Sequence, residues 1–239
     1  MTDGKKITTI LFDAGGTLVH LDHRFLQQHL RQAGFPVSLQ SVRRAEYAAK
    51  AEIDRRMLAA MADNDESRRR PYFAALFDEL AVERSVAARL IEELDRLHAR
   101  HNLWRVVLPS TPKVLADLQT RGLTLGVVSN SDGRIGAILE QCGLRRFFEV
   151  LIDSFEIGIE KPDPRIFHLA IAQANASPDQ TLFVGDIYSI DIVGAQRAGI
   201  RALLLDVLGC YTGVECEKIR HLQELAHYII ERRNPWQTD

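Results

Sequence analysis

Ile7-Thr8-Thr9-Ile10-Leu11-Phe12-Asp13-Ala14-Gly15-Gly16-Thr17-Leu18 is the stretch that decides the fold. The near-continuous apolar run up to Phe12 is the pattern of a strand buried on both faces. It stops at a carboxylate, and Gly15-Gly16 then reads as a tight turn. A buried strand that ends on an acid suits a parallel sheet, in which ligands gather beyond the carboxyl ends of the strands.

Four more runs repeat the pattern downstream: Leu123 to Val128, Val150 to Asp153, Thr181 to Val184 and Ala202 to Leu205. Helical periodicities separate them, at Pro112 to Arg121, Arg134 to Cys142, Pro164 to Ala174 and Asp191 to Ala198. This alternation predicts an α/β fold with a parallel sheet of about five strands and helices on both faces. Residues 21–105 break the rhythm. They hold no convincing strand, and apolar spacing predicts helices at Phe25 to Gln32, Leu39 to Met61, Tyr72 to Leu80 and Val86 to His101. Asn64 to Ser67 and Arg68 to Pro71 read as a loop. The expected division is a core of 1–20 plus 106–239 and an inserted helical bundle of 21–105, joined by two hinge linkers. A last helix is expected at Leu222 to Arg232.

The totals agree with a globular chain. Its 239 residues are 46% hydrophobic and 26% charged, with a formal net charge of -2. That charge gives no case for nucleic acid as a partner. No apolar run reaches about 18 residues, so no membrane span is expected. The basic start leads into an apolar run too short for a signal core, which makes the cytoplasm the expected address. Cys142, Cys210 and Cys216 form no metal spacing and read as reduced bystanders. His98 and His101 lack a third zinc ligand with sensible spacing and read as the end of a helix, with Trp104 packing at the hinge. Met57 and Met61 read as packing, and Arg68 to Arg70 as a solvated loop. Oligomeric state is not legible.

The chemistry-bearing residues fall at strand ends. Asp13 has the place of a nucleophilic carboxylate, although turns and caps use such acids too. Ser129 and Asn130 follow the second strand and can offer donors to phosphate; Ser131 or Asp132 can equally cap the next helix. Lys161, in Gly158-Ile159-Glu160-Lys161-Pro162-Asp163-Pro164, is a fixed point charge for phosphate or an ordinary surface lysine. Asp186 follows Gly185, with Asp191 five residues on. Asp13 and Asp186 can hold Mg2+, with Asp191 behind them or capping a helix.

Taken in order, these motifs resemble those of the haloacid dehalogenase superfamily, in its phosphatase-like branch with a helical cap between the first and second motifs. The match runs from Ile7 to about Leu225. The resemblance implies a Rossmann-like core and a magnesium-dependent phosphohydrolase acting on a small phosphorylated substrate. It implies Asp13 as nucleophile, and Ser129, Asn130 and Lys161 as phosphate-binding groups. It implies Asp13, Asp186 and the backbone carbonyl of Gly15 as metal ligands, supported by Asp191. One departure stands out. The family's phosphatases carry a second aspartate two residues after the nucleophile, as acid and base, and here that position is Gly15. His20, Asp22 and His23 are candidates to replace it. Two other readings stay open. One is carbon–phosphorus hydrolysis using Lys50 as an imine-forming cap lysine; the other is a binding or regulatory module with weak turnover. Halide removal from carbon has no use for the Gly185-Asp186 acid.

Overall fold

A computed structural model of the chain describes residues 6–60 and 65–231. Met61, Asn64 and Arg232 lie outside them, as do the side chains of Met57 and Arg68. The core is a six-stranded parallel sheet in the order β5-β4-β1-β6-β7-β8. The strands are β1 (Thr9–Phe12), β4 (Thr124–Ser129), β5 (Val150–Asp153), β6 (Thr181–Gly185), β7 (Arg201–Leu205) and β8 (Glu217–Ile219). Five of them are those the apolar runs announce. β8 adds a sixth, at the edge, where a strand needs only one paired side and little apolar content.

The continuous apolar runs have a direct cause. Ile10 and Phe12 pack into one core on one face of the sheet, with Leu125, Val127, Leu182 and Val184. Leu11 packs into the other face with Val128, Phe183 and Leu204. Both faces of β1 are therefore dry, and no polar alternation is tolerated. Phe12 pairs in register with Val127 and with Val184. That register brings Asp13, Ser129 and Asp186 together beyond the same edge of the sheet.

Four helices are inserted between β1 and β4 as a cap: α1 (His23–Gln32), α2 (Leu39–Ala60), α3 (Asp65–Glu79) and α4 (Arg84–Arg100). They share their own apolar core, built on Leu26, Leu30, Phe73, Leu76, Phe77, Leu90 and Leu94. Two details differ from the sequence reading. The segment Asp65 to Pro71 is helical rather than loop, with Pro71 inside α3. Proline forbids only its own donor and crowds the preceding turn, so it weakens a helix without always ending one. The insertion also begins and ends on strand, β2 (His20–Leu21) pairing antiparallel with β3 (Trp104–Val106). Strands this short give no periodic signal. Asp22 caps α1 through the Phe25 N–H at 3.0 Å and also accepts from Arg105 at 3.1 Å, so one carboxylate ties both linkers.

The remaining helices cover the core: α5 (Thr111–Thr120), α6 (Ile135–Gln141), the short α7 (Ser154–Ile157), α8 (Pro164–Gln173), α9 (Val193–Arg197) and α10 (Glu224–Glu231). A π-helical turn, Tyr188–Ile192, leads into α9 where plain α-helix is the expectation from Asp191 onward. No helix among the described residues is long and apolar enough to cross a membrane.

Candidate active site

The turn after β1 is fixed by its own backbone. Asp13 N–H donates to Val184 O at 2.8 Å, and Gly16 N–H to Val19 O at 2.7 Å. Gly16 has φ +92°. A Cβ there would lie 2.1 Å from Asp186 Oδ2. Only glycine satisfies both the left-handed backbone and this approach. Gly185 is constrained by close approach alone, since a Cβ would lie within 2.5 Å of the Asp191 side chain.

Lys161 is the centre of the site. Its side chain is 1% exposed, and Nζ donates to Asp13 Oδ1 at 2.6 Å and Asp191 Oδ1 at 2.7 Å. Its peptide is clamped by Asn130: Lys161 N–H donates to Oδ1 at 2.8 Å, and Nδ2 donates to Lys161 O at 2.9 Å. Asn130 therefore spends its side-chain amide on positioning the lysine. The second oxygen of Asp191 accepts the N–H groups of Asp186 and Ile187, each at 3.0 Å. Asp186 accepts from Thr17 Oγ1 at 3.5 Å and from Lys50 Nζ at 2.5 Å.

Oxygens of Asp13, Asp186 and Asp191 lie within 4.8 Å of one another, all buried. Burial pushes Asp13 up to about 7; Lys161 opposes the shift, while Asp191 and Asp186 reinforce it. Burial raises Asp186 too, against the pull of Lys50. Burial alone would lower both lysines, but Asp186 and Glu46 hold Lys50, and Asp13 and Asp191 hold Lys161, above the ordinary value. Four carboxyl groups, those of Asp13, Asp186, Asp191 and Glu46, thus face two ammonium groups. A hard dication taking a few carboxylate oxygens fits such a donor set.

A cavity of about 190 Å³ opens above these groups. Its wall includes Asp13, Ser129, Asn130, Lys161, Asp186 and Asp191, and also the backbone turn at Gly15. Ser129 has only a long contact to Asn130 O, 3.4 Å, so its hydroxyl is free to turn. The alternative that Ser131 or Asp132 caps α6 is not what the structure shows. The Ile135 N–H faces Asp153 Oδ2 at 3.4 Å, Ser131 N–H donates to Ser154, and Asp132 binds Arg134. Above Gly15 lies the Trp104 ring, 3.7 Å from where a Cβ would stand.

The three candidates for replacing the missing acid do not reach this cavity. His20 and His23 are absent from its wall, and Asp22 is held by the linkers. His23 binds Glu46 at 3.0 Å. Burial, then Lys50, lowers His20 to about 4, so it stays uncharged. Residues that the sequence reading did not place in the site also line the cavity: Asp54 and Tyr72, and His98 and Asp132, which it read as a helix end and a cap. His98 ends the cap as expected, its ring edge-on to Trp104 at 5.8 Å. The signal for the α2 contribution was Glu46, Lys50 and Asp54 at four-residue spacing, which puts them on one helix face.

A buried carboxylate at a strand end, a clamped lysine and an acid trio on a parallel sheet under a helical cap define a hydrolase of the α/β class. Residues 7–199 match the family description "haloacid dehalogenase-like hydrolase", and the chain belongs to that family. It is 38% identical over 118 residues to "Haloacid dehalogenase-like hydrolase domain-containing protein 3" of Bos taurus, covering 49% of this chain and 47% of that protein. It is 36% identical over 115 residues to the "Glyceraldehyde 3-phosphate phosphatase" of Methanothermobacter thermautotrophicus, covering 44% and 49% respectively. The chain thus spans about half the length of these curated relatives. Among solved structures, the HAD-hydrolase YfnB from Bacillus subtilis bound to magnesium superposes with TM-score 0.68 at 22% identity, over 94% of this chain and 99% of that one. That likeness shows the fold.

Proposed function

We propose that this chain is a magnesium-dependent phosphohydrolase that releases phosphate from a small phosphorylated metabolite through an aspartyl-phosphate on Asp13. The observation that carries the reading is Lys161 bridging Asp13 and Asp191 while Asp186 completes the acid trio. The phosphatase named among the relatives supports it. Residues 1–20 and 106–239 form the catalytic core in this reading, and 21–105 the cap that excludes water.

An oxygen of Asp13 attacks phosphorus as the bond to the leaving oxygen breaks. Lys161 keeps Asp13 oriented and neutralises charge on the transferring group, and Ser129 donates to one of its oxygens. Asn130 acts by holding Lys161 in place. Magnesium, held by Asp13, Asp186 and the Gly15 carbonyl with Asp191 behind, would supply charge neutralisation at the phosphoryl oxygens. Water then cleaves the acyl phosphate and restores Asp13. Gly15 has no side chain to protonate the leaving oxygen, so good leaving groups are favoured. A positioned acid is worth about 10²–10⁴-fold, far less than the whole acceleration, and activity survives its loss.

The test is phosphate release from a panel of phosphorylated metabolites with magnesium, comparing the native chain with Asp13→Asn. Release that vanishes in the variant supports the reading; release that persists refutes Asp13 as nucleophile. A second reading, carbon–phosphorus hydrolysis through an imine on Lys50, gains from the place of that lysine in the cavity wall. The pairing of its ammonium with Asp186 opposes it, since attack on a carbonyl needs the free amine. Borohydride trapping of an aldehyde-bearing phosphonate on the native chain, but not on Lys50→Ala, would favour that second reading.

A further inference from the structure

We propose that the closed cap and a divalent metal compete for the Asp186 carboxylate, with Lys50 of α2 as the competing cation. The inference rests on the metal site assigned above and concerns how the cap controls it.

Lys50 Nζ lies 2.5 Å from Asp186 Oδ2, and its side chain is 6% exposed. It is the cap's own cation placed on a carboxylate of the acid trio. Glu46, one helical turn back, shares the ammonium at 3.5 Å. Glu46 is itself held by Tyr72 OH at 2.8 Å and His23 at 3.0 Å. Burial raises Glu46, but Lys50 first, then His23 and Tyr72, draw it down to about 2, so it stays charged as the second anchor of the Lys50 ammonium. One turn ahead, Asp54 accepts the Ser189 N–H at 3.1 and 3.2 Å. Ser189 belongs to the π turn that joins Asp186 to Asp191. Thus α2 grips the metal-binding segment at two points, one cationic and one anionic.

A dication and an ammonium on one buried carboxylate repel strongly, because screening there is weak. Lys161 can stay beside a metal-bound Asp13 because Asp191 holds it at 2.7 Å, whereas the second carboxylate of Lys50, Glu46, lies at 3.5 Å. A dication arriving at Asp186 therefore displaces the Lys50 ammonium and loosens the seat of α2. Linkage makes the effect reciprocal: whatever the seated cap costs the metal, the metal costs the seated cap. The cap is then held down over an empty acid cluster and freed when the cluster is loaded.

Calorimetric titration with MgCl2 alone, without substrate, tests this on the full chain. Lys50→Met should tighten magnesium binding by about tenfold, within the usual range of coupling. That gain also follows from simple removal of a positive charge, so a second variant decides. Asp54→Ala removes a negative charge from the cavity wall, which by Coulomb's law alone weakens metal binding. Competition predicts the opposite, a gain of roughly fivefold, because the seat of α2 is lost. Hydrogen exchange gives an independent readout: MgCl2 should accelerate exchange of the Ser189 amide in the native chain. Unchanged or weaker binding in Asp54→Ala, or slower exchange at Ser189 with metal, would overturn the competition alone. No binding by any of the three proteins would sink the metal reading and this inference together.

Discussion

Position 15 carries a backbone and nothing else, and the space above it is not sealed. A Cβ there meets only Trp104 ring atoms at 3.7 and 3.9 Å, an ordinary contact, on a backbone that is not left-handed. Gly15→Asp should therefore fold. Assayed with substrates of rising leaving-group pKa, it should gain most on the poorest leaving groups, by up to about 10²–10⁴-fold. A uniform change across the series would show that the added carboxylate does not act as the acid. His20 sets a second expectation. Burial and Lys50 lower its pKa to about 4 from an ordinary value of 6.5. The unfolded chain then takes up this proton first, so the contribution is full above about 6.5 and is lost as pH falls toward 4, at most about 3 kcal/mol. His20 Nε2 has no hydrogen-bond partner, so His20→Leu removes no bond at that nitrogen. Denaturant midpoints at pH 7 and pH 5 should lie closer together in that variant than in the native chain. Of these details, sequence shows Asp13, Lys161, Asp186 and Asp191, because each sits at a punctuated strand end or turn. It does not show that His20 is buried away from the cavity, because His20, Asp22 and His23, polar residues within one short stretch, look alike until tertiary packing separates them.

The site is assembled by elements that each contribute one face or one end. The loops after β4 and before α8 meet through Asn130 and Lys161, which exchange two hydrogen bonds. Asn130→Ala leaves two buried peptide groups without those partners, at a cost of about 1–3 kcal/mol in stability. Because the clamp also aims Lys161, kcat should fall by more than KM rises, and steady-state kinetics on the best substrate will show which. Strand positions were legible because burial on both sides forbids polar residues. β8 was not, since Glu217 and Lys218 carry no apolar signal. The start of α3 was hidden by Pro71, which reads as a boundary in sequence and lies within the helix. The charged face of α2 was visible only as spacing. What it faces is set by how the cap docks, and no local pattern encodes that.

At the scale of the whole molecule, cap and core meet through polar contacts as well as linkers. Arg134, at the start of α6, donates to the carbonyls of His98 and Ala99 at the end of α4, at 3.0 and 3.2 Å. A cation there also meets the negative end of the α4 dipole. Arg134→Ala should loosen this contact, read as faster hydrogen exchange over the last turn of α4 with little change in the sheet. The order of the strands has a different consequence. β1 lies inside the sheet, and its two neighbours begin at Thr124 and Thr181, on the far side of the cap in the sequence. A ribosome adding about 5–20 residues per second would release Thr9–Phe12 roughly 10–30 s before the second of those partners exists. The cap helices, whose contacts are more local, can form meanwhile. Nascent chains arrested when α4 has cleared the ribosome but β4 has not should hold a protected cap and an unprotected β1. Of the six strands β1 waits longest for its neighbours, and for those seconds its apolar residues are what a chaperone would find.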